Sequence, residues 1–257
     1  MPSVSLGVGE EQEIYMNNID FALGTHTGLM RELNEDSHLA LPKLGLWVIA
    51  DGMGGHEAGE VASGIAIREI ARSIEQGMPL AEAIETAHRA IQVAALQGGG
   101  AADMGSTVVA AKLDGLRYEI AWVGDSRAYL WNGTLHQLTT DHSYVQLLLN
   151  AGLITEGEIR GHPSRNIISQ ALGVGGIDKA NVKVDLLSGE LGENDTLLLC
   201  SDGLSGEVAD EHIAAILSKT TDVQTIVDRL ITAALEAGGK DNITVIVITP
   251  QQPKKTP

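Results

Sequence analysis

The sequence predicts an α+β protein in which two antiparallel sheets are flanked by helix pairs. Three observations carry this. Strand-like runs, a helix pair, more strands and a second helix pair follow one another, an order that cannot alternate as a parallel doubly wound sheet requires. Asp114-Gly115 and Asn132-Gly133 lie between apolar segments and read as hairpin turns, which belong to antiparallel pairing. The helices declare themselves by period: Leu80, Ala83, Ile84, Ala87, Ile91, Ala94 and Ala95 recur at helical spacing, with Pro79 before them and glycines 98–100 beyond.

Taken in order, residues 1–18 mix Gly, Glu and Asn and are expected to be a flexible segment, as is the Pro- and Lys-containing tail 249–257. Between them, 19–248 contains no Pro-rich or low-complexity linker and reads as one domain. Residues 21–27 form a first strand, 28–36 a loop, and 38–41 with 46–50 a hairpin. A helix over 57–76 carries Val61, Ile65 and Ile70 on its apolar face, and the helix of Leu80 to Ala95 follows. The runs 107–113, 116–123, 127–131 and 135–138 then read as a four-stranded antiparallel meander. Residues 139–175 break the pattern: 143–150 is helical with Gly152 as its cap, and Thr155-Glu156-Gly157-Glu158 has the spacing of a capping box. Beyond the apolar run 196–200, helices are expected over 210–218 and 223–237, the latter burying Val223, Ile226, Val227, Leu230 and Ala234, and 243–248 is a last strand.

Composition excludes several classes. The chain of 257 residues has 34 acidic against 17 basic residues and a formal charge of −17, which argues against a nucleic acid or an anionic membrane as partner. Excess surface acid also serves solubility. The single cysteine, Cys200, cannot form an internal disulfide and lies in an apolar run as a buried thiol. It is followed by Ser-Asp-Gly-Leu-Ser-Gly, without the Arg on which a cysteine-phosphatase loop closes. Neither a signal segment nor a run of roughly 20 apolar residues is present, so a cytoplasmic monomer is expected. Gly124-Asp125-Ser126-Arg127-Ala128 lacks the second Gly of a nucleophile elbow, no phosphate-binding Gly-Lys-Ser/Thr loop occurs, and Gly173-Val174-Gly175-Gly176 reads as a turn.

Acids at strand ends remain. In 46–56 an apolar strand ends on Asp51, followed by Gly52, Gly54 and Gly55, a bare backbone that lets a ligand approach closely. Residues 196–203 repeat the design, with Ser201-Asp202-Gly203 after the run. Asp241 precedes the last strand, Glu35 and Asp36 follow the first, and Asp125 lies between two others. One such Asp serves a turn as readily as a ligand; five stations exceed what turns need. Carboxylates with backbone carbonyls suit a hard divalent cation, Mg²⁺ or Mn²⁺, rather than zinc.

Arg31 with Asn34-Glu35-Asp36, Asp51-Gly52-Met53-Gly54-Gly55, Gly105-Ser106-Thr107, Gly124-Asp125-Ser126-Arg127, Ser201-Asp202-Gly203 and Asp241-Asn242 occur in an order that resembles the PP2C (PPM) family of metal-dependent protein serine/threonine phosphatases, in its bacterial form. The resemblance implies a four-layer α-β-β-α sandwich, two core Mn²⁺ or Mg²⁺ ions with a possible third, and phosphorylated proteins as substrates opposite a cognate Ser/Thr kinase. It implies that Asp51 bridges the two ions, that Gly52 offers its carbonyl to one, and that Asp202 and Asp241 bind the other. Glu35 and Asp36 would order the waters around the metals. Asp125 matches a third metal position or else caps a turn. Arg31 would clamp the phosphate through its forked guanidinium, or else pair with Glu32 or Glu35. Residues 139–175 would be a flap beside the site, or an ordinary surface excursion. Animal members place a general-acid His where Met53 stands. Met cannot donate that proton, so another donor must serve. His56 and His38 lie near in sequence and are assigned no catalytic part. A catalytically silent phosphopeptide-binding scaffold of the same fold is the rival function.

Overall fold

The structure, a computed structural model, describes residues 19–54, 58–98, 104–175 and 182–251. Its strands are β1 (Ile19–His26), β2 (Asp36–Leu41), β3 (Leu46–Met53), β4 (Gly105–Ser106), β5 (Val108–Asp114), β6 (Arg117–Val123), β7 (Arg127–Trp131), β8 (Leu135–Gln137), β9 (Asp185–Glu190), β10 (Thr196–Cys200) and β11 (Ile243–Pro250). The helices are α1 (Ala58–Glu75), α2 (Leu80–Leu96), α3 (Tyr144–Asn150), α4 (Glu156–Ile159), α5 (Asp202–Ser205), α6 (Asp210–Leu217) and α7 (Val223–Glu236). One sheet runs β1-β11-β10-β7-β8 and the other β2-β3-β5-β6-β9, with β4 paired to the end of β3; every pairing is antiparallel.

The apolar runs are continuous because their strands are buried on both faces. Along β3, Leu46, Val48 and Ala50 pack beneath α1 and α2, whereas Trp47 and Ile49 face the other sheet. Along β10, Leu198 and Cys200 meet α6 and α7, and Leu197 and Leu199 meet Trp47 and Ile49 across the gap. Three apolar layers therefore separate helices, sheet, sheet and helices, the four-layer α-β-β-α arrangement.

Several boundaries differ from expectation. The four strands from 107 to 138 are two hairpins in different sheets, not one meander: β5-β6 belongs to the sheet that contains β3 and β7-β8 to the sheet that contains β10. The chain crosses at Gly124, whose φ of +110° is closed to other residues and whose Cβ would strike the Thr107 side chain. In α1 the buried stripe is Ala62, Ala66 and Ile70, with Val61 and Ile65 only flanking it, because small residues let the helix lie close on β2 and β3. Thr249 and Pro250 continue β11 opposite Asp20 and Ile19, so the expected tail loses its first two residues to the sheet. β9, which alternates half-buried and exposed residues at a sheet edge, was not legible. The expectations for 1–18, for 252–257, for Gly99, Gly100 and Gly176 and for His56 lie outside the described residues.

Where α1 meets β3 no side chain fits. A Cβ on Gly52 would overlap the Gly59 carbonyl and lie 2.7 Å from the Glu35 carbonyl. Gly52→Ala is expected to lower the melting temperature by about 5 °C or more, since overpacking costs roughly 1–3 kcal/mol and the obstacles here are backbone. An unchanged melting curve would refute this contact.

Candidate metal centre

The site lies where the two sheets part at one end. Residues at alternating positions of a strand share a face, so Asp51 continues the inward face of Trp47 and Ile49 past the apolar layer. Asp36 is its direct antiparallel partner on β2 and points the same way. From the opposite sheet come Ser201 and Asp202, at the end of β10 and the start of α5, and Thr244 on β11. Asp36 joins the sheets: its Oδ2 accepts from Ser201 Oγ at 2.8 Å and from Thr244 Oγ1 at 2.6 Å.

The backbone around Asp51 is fixed from both sides. Its N–H donates to Thr107 Oγ1 at 3.2 Å, and its carbonyl accepts from Thr107 N at 2.8 Å and Ser106 Oγ at 3.1 Å. The Thr107 and Ser126 hydroxyls, 2.7 Å apart, tie this strand end to the crossing that carries Asp125. Glu35 stands at the entrance of α1, where a Cβ on Gly59 would collide with its carboxylate. A carboxylate there is favoured by the free N–H groups of the first helical turn.

Asn242 organises the third approach. Its Oδ1 accepts from Glu35 N at 2.8 Å, and its Nδ2 donates to Thr27 O at 2.8 Å and Leu33 O at 2.9 Å. One buried amide thus fastens both ends of the loop that carries Arg31. Arg31 Nη2 donates to Asp241 Oδ2 at 2.7 Å, and Asp241 Oδ1 accepts from Asn242 N at 2.8 Å. Arg31 is therefore paired with Asp241, not with Glu32 or Glu35 as a surface pair would be.

The carboxyls perturb one another in the sense that crowding demands. Burial, then the charges of Asp36, Asp202, Asp125 and Asp241, push Asp51 well above the usual carboxylate range. Burial raises Asp36 to about 7, against the hydrogen bonds from Thr244 and Ser201. Burial and Asp241 raise Asp202 to about 6, opposed by a hydrogen bond with Asp51 and by Arg31. Asp125 rises well above its ordinary value through burial and the charges of Asp202 and Asp141. Burial raises Glu35 as well, with Arg31 opposing. One buried oxygen on each of Glu35, Asp36, Asp125 and Asp202 has no hydrogen-bond partner.

Anionic oxygens left without donors are costly in a protein interior, and a hard divalent cation satisfies several at once. The donor set fits Mg²⁺ or Mn²⁺: it is all oxygen, with no Cys or His among its members. Among the described residues no three His, Cys, Asp or Glu are grouped to hold one ion by side chains alone. Asp241 is paired with Arg31, while Asp51 and Asp202 share a hydrogen bond. Such ions also take backbone carbonyls and keep several waters, so a carboxylate pair with the Gly52 carbonyl is a sufficient beginning.

Beside Asp125 and Asp202 opens a cavity of about 580 Å³, walled by Ser143, Gln146, Glu156 and Arg160 of the 139–175 stretch and by Asp210 and Glu211 at the start of α6. The stretch is held at its root and middle. His142 N donates to the Gly124 carbonyl at 2.8 Å, Leu172 N to Ser106 O at 2.8 Å, and Arg160 Nη2 to the carbonyls of Ser205 and Val208 at 3.0 and 2.8 Å. The capping box at Thr155 and Glu158 is present.

Of the expected residues, Asp51, Asp36, Asp125 and Asp202 act on one another through their charges, while Glu35 lies closer to the paired Arg31 and Asp241. His38 is two residues from Asp36 on the same face of β2; burial lowers its pKa and its Nδ1 has no partner. Sequence reasoning gave no role to Asn242, Ser201, Thr244, Thr107 or Ser126. All five are hydroxyl or amide residues beside the acids, and a polar side chain within an apolar strand, as at Thr244, was the available signal.

Residues 26–237 match the family model described as protein phosphatase 2C. The chain is 39% identical over 238 residues to the serine/threonine phosphatase stp of Listeria welshimeri, covering 87% of this chain and 93% of that protein. It is 41% identical over 239 residues to the serine/threonine protein phosphatase PstP of Mycobacterium tuberculosis, covering 88% of this chain and 44% of that longer protein. A crystal structure of the catalytic domain of PstP in complex with two manganese ions superposes with a TM-score of 0.81 at 36% identity, over 91% of this chain and 99% of that one.

Proposed function

This chain belongs to the protein phosphatase 2C family, and from that premise we propose how its own residues carry out the reaction. It is a metal-dependent protein serine/threonine phosphatase that acts on phosphoproteins and depends on Mn²⁺ or Mg²⁺. Bound ions of this kind supply Lewis acidity and make a water nucleophilic near neutral pH. In our assignment Asp51 would serve both core ions, the Gly52 carbonyl one of them, and Asp202 and Asp241 the other. Asp125 would serve a third, and Glu35 and Asp36 would orient the surrounding waters. Arg31 holds two phosphate oxygens in its fork, exchanging its bond to Asp241 for the substrate and so freeing that carboxylate. Asn242 is a positioning residue that keeps Arg31 in reach. Met53 holds no proton, so this chain presents no side-chain acid at that place for the departing serine or threonine oxygen.

The single observation that supports the assignment is that Asp36 and Asp51 of one sheet and Asp202 of the other lie within electrostatic reach of one another, with a buried oxygen of Asp36, Asp125 and Asp202 left unpaired. Among the described residues no helix is long and apolar enough to cross a membrane. We further propose a cytoplasmic monomer that opposes a Ser/Thr kinase.

The test is phosphate release from a phosphoserine peptide. Turnover is expected in Mn²⁺, abolished by EDTA and restored by excess Mn²⁺. Peptide binding without turnover under all three conditions would instead establish the silent scaffold.

A further inference from the structure

The loop that carries Arg31 is polar where it is fastened and apolar where it is free. Leu29 N donates to Gly239 O at 2.6 Å, and Asn242 holds the carbonyls of Thr27 and Leu33. Yet Leu29, Met30 and Leu33 remain 63%, 73% and 47% exposed. Single exposed apolar residues need no explanation, but their distribution here does. Among the described residues, exposed large hydrophobics comprise these three, five more between Tyr144 and Val174, and only Val93, Leu96 and Leu186 elsewhere. Apolar surface is thus concentrated on the two segments flanking the acidic cluster, in a chain whose formal charge is −17.

The occupant follows from continuity with Arg31. A phosphoryl group held by Arg31 belongs to a residue of a polypeptide, and consecutive Cα atoms are about 3.8 Å apart. The residues on either side must therefore pass over the side chains that flank Arg31. Within electrostatic reach of Arg31 lie Asp241, Glu35 and Asp202, whose charges repel an acidic neighbour but not an apolar one. We infer that Met30 and Leu33 are specificity-determining residues, which take apolar side chains directly flanking the phosphorylated serine or threonine of a protein substrate. The inference rests on Arg31 as the phosphate clamp.

The experiment uses the full chain in Mn²⁺ with three substrates: p-nitrophenyl phosphate, too small to reach Met30 or Leu33, and two phosphoserine peptides carrying Leu or Gly on both sides. The parent is expected to favour the Leu-flanked peptide by about tenfold in kcat/KM, the scale of a modest apolar contact. In Met30→Ser/Leu33→Ser that preference should vanish through KM with kcat unchanged, as loss of uniform binding requires. Turnover of p-nitrophenyl phosphate should stay the same. A parent without preference overturns the inference. So does an equal loss on p-nitrophenyl phosphate, which would make the patch structural, or a parent dimer that the double variant dissociates with peptide preference intact. Absence of turnover on all three substrates would remove the phosphatase assignment, and this inference with it.

Discussion

Asp51→Asn is expected to reduce Mn²⁺-dependent phosphate release by about 10³-fold or more, while the metal-free variant melts no lower than the parent. The activity loss follows from removing the central charge of a preorganised electrostatic site, where single groups are worth about 10²–10³ and a shared ligand more. The stability argument runs the other way. Asn matches Asp in shape, and the bonds that fix this position are made by the backbone of Asp51, to Thr107 and Ser106. What disappears is a carboxyl whose ionised form is opposed by burial and by Asp36, Asp202, Asp125 and Asp241. A residue kept for folding would lose stability on this change; one kept for chemistry gains it or breaks even. Phosphate release and a thermal melt in EDTA check both halves. Full activity, or a melting temperature lowered by many degrees, would sink the assignment.

That asymmetry explains how much the sequence disclosed. The acids were legible because they interrupt apolar strands at a cost that only a ligand relieves, so Asp51 and Asp202 stood out without any contact being known. The paired sheets and flanking helices were legible because strands buried on both faces leave unbroken runs such as 196–200 and 243–248, and because α2 and α7 keep their period. Failures came where tertiary pairing overrides local preference. β9, Asp-Leu-Leu-Ser-Gly-Glu, is a strand only because β6 offers it an edge. The passage from β6 to β7 looked like a further turn of one meander, since a glycine at positive φ reads alike whether it reverses the chain or sends it to another sheet. The metal family's pattern supplied Arg31, but only the structure places its guanidinium on Asp241. The roles of Asn242, Ser201 and Thr244 depend on partners 43 to 215 positions away, which no local spacing encodes.

In the metal-free protein, thermal stability is expected to fall as pH rises from about 4 to 7.5, and Mn²⁺ is expected to reverse the trend. Unfolded carboxyls titrate near 3.9, whereas folded Asp202 and Asp36 hold their protons to about 6 and about 7. Asp51 and Asp125 shift in the same direction. Across that window the native state carries protons that the unfolded chain has released, so each step up in pH favours unfolding. Below the window the opposite acids take over. Asp185 is held below its ordinary value against burial by Lys183 and His142, and Asp222 by its cap on Thr225; their contribution is lost only as pH drops under about 4. The metal-free optimum should therefore sit near pH 4 to 5, well below neutrality. Mn²⁺ binds the deprotonated cluster and competes with protons for it. At a hundredfold excess over its dissociation constant an ion adds about 2.7 kcal/mol, roughly 5–10 °C for a chain of this size. That gain should be large at pH 7.5 and small at pH 5. Melting curves in EDTA and in Mn²⁺ at the two pH values give the four numbers needed. A metal-free protein more stable at pH 7.5 than at pH 5, or an equal Mn²⁺ increment at both, would mean that these carboxyls do not share one buried site.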